Sequence, residues 1–302
     1  MPPSRRALLT GSLALAGLGL AVPLARRLSR GAPSAHASVG PAAWASAGRG
    51  PTAPPPGIFP AADAPLDDSP AALASAELGA PVMRVYLDAG HGAPDNPGNT
   101  SCQCEAEASF SLRACEAIAH ELEATGRFLV MLSRAAGELP RYQERVLEAE
   151  RFGADVLVSV HSDIRTPARS WQPRADVTCP LGEPAPGLSI LFSDEGDAAL
   201  VEARRRVALG LARAAARRGF PFYPAYERDY EPLVEARGVF VDRHPAGKRI
   251  FLLRATSMPA ILVETHHALD PFEVERWNEP RTVRAFSRAL GEALERSLGE
   301  PS

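Results

Sequence analysis

The sequence predicts an α/β fold: a single layered domain with a twisted, largely parallel sheet flanked by helices. Three observations point there. Short apolar runs alternate with longer stretches of helical periodicity from about Val82 to Leu298. The first apolar run, Arg84-Val85-Tyr86-Leu87-Asp88, breaks into Ala89-Gly90-His91-Gly92. A histidine therefore lands on a loop at a strand's carboxyl end, where open α/β sheets place their ligands. The region is also long enough to bury a sizeable core.

The elements follow in order. Met83–Asp88 reads as a strand. A helix is predicted from Glu105 to Ala124, because Phe110, Ala114, Ile118 and Leu122 fall at helical spacing. Phe128–Ser133 is a second strand. Leu139 to Phe152 is helical, and Gly153 supplies its stop. Asp155–His161 is a buried strand that again ends on histidine. Gly187–Phe192 reads as a strand and Asp197 to Arg218 as a long Ala/Arg/Leu helix. Ile250–Leu253 and Ala260–Glu264 read as two more strands, and Thr282 to Leu298 as a closing helix. The intervals Arg165–Pro186 and Pro221–Pro245 hold several prolines and read as irregular. Long loops of this kind are commonly functional.

The first residues read as an address. Ser4-Arg5-Arg6-Ala7-Leu8-Leu9 is a twin-arginine signature, followed by an uncharged apolar run from Ala7 to Ala25 and a small-x-small site at Ala35-His36-Ala37. Residues 1–37 are thus expected to export the chain to the periplasm or cell envelope. The run has about the minimum length to span a bilayer, so a retained anchor is the other reading. On the export reading, membrane contact is only transient. Residues 38–81 are rich in Pro, Ala, Gly and Ser and read as a flexible or polyproline-like linker. A net charge of −3 gives no sign of nucleic-acid binding.

The chemistry begins with His91 and His161. If their strands lie parallel in one sheet, both imidazoles emerge on one edge, and zinc is the usual reason for such convergence. A catalytic zinc takes three protein ligands and keeps an open position. The helix start after His91 offers Glu105 and Glu107 as the third. Ile261-Leu262-Val263-Glu264 adds a buried strand ending in a carboxylate, well placed as a general base.

This order of motifs resembles the zinc-dependent N-acetylmuramoyl-L-alanine amidases (amidase type 3 family). The match comprises a strand running into Asp88-Ala89-Gly90-His91-Gly92, a glutamate at a helix start, Ala154-Asp155 leading a strand to Ser159-Val160-His161, and Val263-Glu264-Thr265. Leu132-Ser133-Arg134, Arg145 and Met258-Pro259-Ala260 add context. The resemblance covers roughly Arg84 to Leu298 and makes residues 82–302 the catalytic domain. It implies His91, Glu107 and His161 as ligands of Zn2+ and Glu264 as the catalytic glutamate. Glu107 is preferred over Glu105 because the family's glutamate precedes a helix leucine by five positions and a glycine by nineteen, as Glu107 precedes Leu112 and Gly126. The implied activity is hydrolysis of the amide between N-acetylmuramic acid and L-alanine in peptidoglycan, for wall remodelling or daughter-cell separation. A peptidase acting on stem peptides and a non-catalytic wall-binding protein are the alternatives. Some family members carry a lid in the interval after the second histidine that opens for a protein activator.

The sequence departs from the family at Ser162-Asp163 and at His266-His267, so Asp163 and His267 are candidates for lining the cleft. An exported location permits disulfides. Cys102 or Cys104 could pair with Cys179, whereas Cys115 reads as a buried helix residue.

Overall fold

The computed structural model describes residues 66–67, 82–226 and 228–299. The export signal and nearly all of the predicted linker lie outside them. Among the described residues, no helix is long and apolar enough to cross a membrane.

The chain alternates as predicted through its first half: β1 (Met83–Ala89), α1 (Glu107–Glu123), β2 (Phe128–Leu132), α2 (Tyr142–Phe152) and β3 (Val156–Asp163). A hairpin follows, β4 (Arg169–Arg174) with β5 (Val177–Leu181), then β6 (Ser189–Ser193), α3 (Ala198–Arg217), β7 (Tyr230–Pro232) and β8 (Val239–Asp242). The chain closes with α4 (Phe251–Ala255), β9 (Ala260–His267), α5 (Pro271–Asn278) and α6 (Pro280–Leu298).

Seven strands form one sheet in the order β2-β1-β3-β9-β6-β8-β7. The pairs β1–β2, β1–β3, β3–β9 and β6–β8 are parallel, while β6–β9 and β7–β8 are antiparallel. β1, β3 and β9 therefore all point their carboxyl ends at one edge. Successive side chains alternate between faces. Val85, Leu87, Val158, Val160, Ile261 and Val263 pack with α1, α3 and α6 in the larger core. Tyr86, Leu157, Leu191, Phe240 and Leu262 pack on the other face with α2 and α4.

Three expectations are corrected. Ile250–Leu253 is not a strand: Phe251–Ala255 forms a short helix, with the Ile250 N–H donating to Asp242 Oδ2 at 2.7 Å. A four-residue apolar run carries no period that distinguishes strand from helix. The interval Arg165–Pro186 holds the β4–β5 hairpin, and Pro221–Pro245 holds β7 and β8, so neither is wholly irregular. Within the predicted linker, Leu66 is buried in the main core, and Asp67 N–H donates to Arg218 O at 3.2 Å.

β9 carries an acid-sensitive residue. His266 is buried, edge-on to Phe110 and stacked on Trp277. Thr265 Oγ1 donates to His161 O, which leaves the His266 Nδ1–H to donate to Thr265 Oγ1 at 2.8 Å. Burial, with Arg165 adding, pushes this imidazole down to about 3. Unfolding releases it to an ordinary value near 6.5, so below that pH the unfolded chain takes up a proton that the folded chain refuses. Its contribution to stability is full above about pH 6.5 and declines toward pH 3. In chelator-treated protein, moving from pH 7 to pH 5 should cost about 2 kcal/mol through this group alone. Urea unfolding of His266→Phe at the two pH values should show a correspondingly smaller loss. An identical loss in both proteins would show that another group governs the acid transition.

Candidate metal centre and active site

The site is built from the edge where β1, β3 and β9 end. Beyond Ala89 the Gly90 N–H still donates to Val160 O at 3.0 Å, so β1 stays beside β3 until His91 turns away with φ of 59°. Gly90 is required by packing: a Cβ there would lie 2.5 Å from the His161 ring. Gly98 is required twice over, since its φ is +79° and a Cβ would lie 2.7 Å from Glu107 and 2.8 Å from His91.

Two buried arginines shape the His91 loop. Arg134 donates to Ala89 O and Gly90 O at 3.1 and 3.2 Å. Arg145 donates to Asp88 Oδ1 at 2.8 Å, to Ala89 O at 2.9 Å and to His91 O. Asp88 also accepts from Ser159 Oγ at 2.5 Å.

His91, Glu107 and His161 converge. Glu107 Oε2 is 3.1 Å from His91 Nε2, and Glu107 Oε1 is 2.9 Å from His161 Nδ1. Their candidate ligand atoms all lie within 4.8 Å of one another, and they are the one such group among the described residues. Glu107 opens α1 and is buried; Asn99 holds Oε2 through its N–H (3.0 Å) and Nδ2 (2.8 Å), while the Ser162 N–H holds Oε1 at 3.1 Å. Burial opposes ionisation of Glu107, but hydrogen bonds from His161 and His91 outweigh it and hold the carboxyl well below the usual range. Reciprocally, burial opposes protonation of His91, yet Glu107 and Asn96 raise its pKa. Asn96 Oδ1 lies 2.9 Å from His91 Nδ1 and fixes the ring so that Nε2 faces Glu107.

Glu105 takes no part in this group. It pairs with Arg113 on the partly exposed flank of α1. Cys104, just before it, forms a disulfide with Cys179 of β5, which ties the approach to α1 to the hairpin. Cys102 and Cys115 are free and buried.

Glu264 lies beside the group. Its Cα is paired with His161 on one side and with Ser189 of β6 on the other. Its Oε2 is buried and has no hydrogen-bond partner. Burial, with Asp163 and Glu107 adding and Arg165 opposing, raises its carboxyl well above the ordinary range. Past it, the β3–β9 register shifts, so that Asp163 pairs with His267. Such a bulge re-aims side chains next to a site. Asp163 is partly exposed and accepts from Tyr226 OH at 2.8 Å and Arg165 Nε at 3.2 Å. His267 is buried instead, held near Thr166 Oγ1 (3.0 Å) and by the Arg165 N–H at 3.2 Å, and does not line an open surface.

Asn96, Asn99, Arg165 and Tyr226 carry no signal in the sequence that marks them as site residues. Asp88 does, because a carboxylate in a buried strand demands a buried cation. Two imidazole nitrogens and one carboxylate oxygen within 4.8 Å of one another are a donor set that could hold a metal ion, and the same ligand types occur at catalytic zinc sites.

Comparison with known proteins bears on the fold and on the first half of the domain. Residues 85–172 match the Amidase_3 family model, described as N-acetylmuramoyl-L-alanine amidase. Among solved structures, the chain is similar to the amidase Ami1 from Mycobacterium smegmatis, at 20% identity over 72% of this chain and 97% of that one, with a TM-score of 0.55. It is similar to Ami1 from Mycobacterium abscessus at 18% identity, over 72% and 98% of the two chains, with a TM-score of 0.55. The N-acetylmuramoyl-L-alanine amidase from Clostridium difficile 630 aligns at 18% identity over 73% and 99%, with a TM-score of 0.54. At these identities the likeness is one of fold. No curated protein matches the chain.

Proposed function

We propose that this protein is a zinc-dependent hydrolase that cleaves the amide between N-acetylmuramic acid and L-alanine in peptidoglycan. The observation that carries the reading is the His91, Glu107 and His161 group with Glu264 beside it, where β1, β3 and β9 end, all but Glu264 inside the segment that matches the amidase family model. His91, Glu107 and His161 would hold the ion. An ion held by these three residues would supply Lewis-acid chemistry and a more acidic water at neutral pH.

The chain's own residues do the rest. Glu264 accepts the proton of the attacking water on Oε2, the oxygen without a partner. A raised pKa suits it to return that proton to the departing amine of L-alanine. Asn99 and the Ser162 N–H fix the Glu107 carboxylate, and Asn96 fixes His91, so the donors are set before substrate arrives. The twin-arginine signature at Arg5-Arg6 supports a site of action outside the cytoplasm, in the periplasm or envelope.

Digestion of purified muropeptides by the zinc-loaded full chain tests the activity. Mass spectrometry should find free stem peptides beginning with L-alanine and glycan bearing bare lactyl carboxylates. New termini within the stem peptide would instead identify a peptidase. Intact muropeptides that remain bound to the protein would identify a wall-binding protein.

A further inference from the structure

Resting on the amidase reading, we infer that the surface beyond Glu264, built by Tyr223 and Tyr226 against Arg165, receives the stem peptide rather than the glycan. The direction follows from the sheet. His161, Glu264 and Ser189 lie on one face in a row across β3, β9 and β6, with the His91 loop on the β1 side. Glu264 returns its proton to the leaving amine, so that amine must face Glu264. The metal donors crowd the β1 and β3 side. The chain attached to the amine, the stem peptide, then departs toward β6.

What it meets there is specific. Tyr223 N–H donates to Leu188 O at 2.9 Å, which sets the Tyr223 backbone along β6 on the side away from β9, one strand beyond Glu264. The Arg165 guanidinium lies over the Tyr223 ring, 4.3 Å from its centroid, and Nη2 reaches Ser189 Oγ at 3.4 Å. Further bonds from Arg165 to Ala185 O and Gly187 O (2.9 and 2.7 Å) fix it in place. Tyr226 packs edge-on to Tyr223 at 5.1 Å and to Phe240 at 4.9 Å, with its hydroxyl on Asp163. Both tyrosines are half-buried.

This arrangement selects between the two halves of the substrate. A sugar ring is held by stacking on a free aromatic face, and one face of Tyr223 already carries a guanidinium while Tyr226 is packed edge-to-face. Beyond those contacts the cluster offers tyrosine hydroxyl and the exposed part of the Asp163 carboxylate. Those groups suit the N–H donors and small side chains of a peptide.

The test is calorimetric binding of a free stem tetrapeptide to the zinc-loaded full chain, alongside the muropeptide digest. Tyr223→Ala is expected to weaken peptide binding about tenfold, and to lower the preference for tetrapeptide over dipeptide muropeptides through KM. Tyr226→Phe keeps the ring and its packing, so it should fold normally and weaken the peptide by a smaller factor. A soluble glycan without peptides should not compete. Unchanged peptide affinity in both variants, or competition by the bare glycan, would overturn the inference. Peptide binding by wild-type protein that releases no stem peptide from muropeptides would overturn the amidase reading alone.

Discussion

Glu264→Gln is expected to slow release of stem peptides from muropeptides by about 10²–10⁴-fold, the range of a lost general acid–base, with zinc content unchanged. The geometry gives both halves of that result. Glu264 lies outside the three-donor group, so the ion keeps its ligands. Its Oε2 is buried without a partner, so the amide preserves shape but cannot accept the proton. Rate measured at saturating substrate, with metal content on the same samples, separates the two. Near-normal turnover would remove Glu264 from the mechanism. A parallel loss of zinc would make it part of the metal site. Glutamine has the same shape as glutamate, and Oε2 bonds no partner that the substitution would strand, so the fold should keep its stability.

Much of this centre was legible before any coordinates, and the reason is physical. β1, β3 and β9 are buried on both faces, so each is a compact apolar run whose end is marked by a polar residue. Three such ends with one polarity imply a shared edge. Short or context-dependent segments carry less of this signal. Val239–Asp242 forms β8 inside a proline-rich interval, and Phe251–Ala255 turned helical because Asp242 captures the Ile250 N–H. Residues alone left Glu105 and Glu107 open, since both suit a helix start; register against the amidase pattern favoured Glu107. The structure adds a cause: Asn99, reaching back from the loop, holds the Glu107 carboxylate, while Arg113 draws Glu105 outward. That loop contact spans eight residues without periodicity, so no pattern announces it. The cysteines had the same limit. Cys104 was one of two candidates for Cys179, and only the β4–β5 hairpin, absent from the sequence reading, decides between them.

Asp88→Ala is expected to destabilise the domain by about 3–5 kcal/mol, because it strands a buried charge. Asp88 and Arg145 are both wholly inaccessible. A guanidinium has five N–H donors, and Arg145 places them on Asp88 Oδ1, Ala89 O, His91 O and twice on Pro140 O. Removing the carboxylate leaves the cation among carbonyls with no counter-charge and frees Ser159 Oγ as well. The double variant Asp88→Leu, Arg145→Met removes both charges and should recover a large part of that loss in urea unfolding, since an apolar pair of similar volume often replaces a buried ion pair at little cost. Metal binding should not recover with it. Arg145 is also what holds the His91 carbonyl, and an apolar side chain offers that loop nothing. The pair is thus expected to separate two roles: the charge balance is a matter of stability, and the donor fork is a matter of aiming His91. Restored zinc affinity in the stable double variant would show that Gly90, Arg134 and Asn96 position His91 unaided.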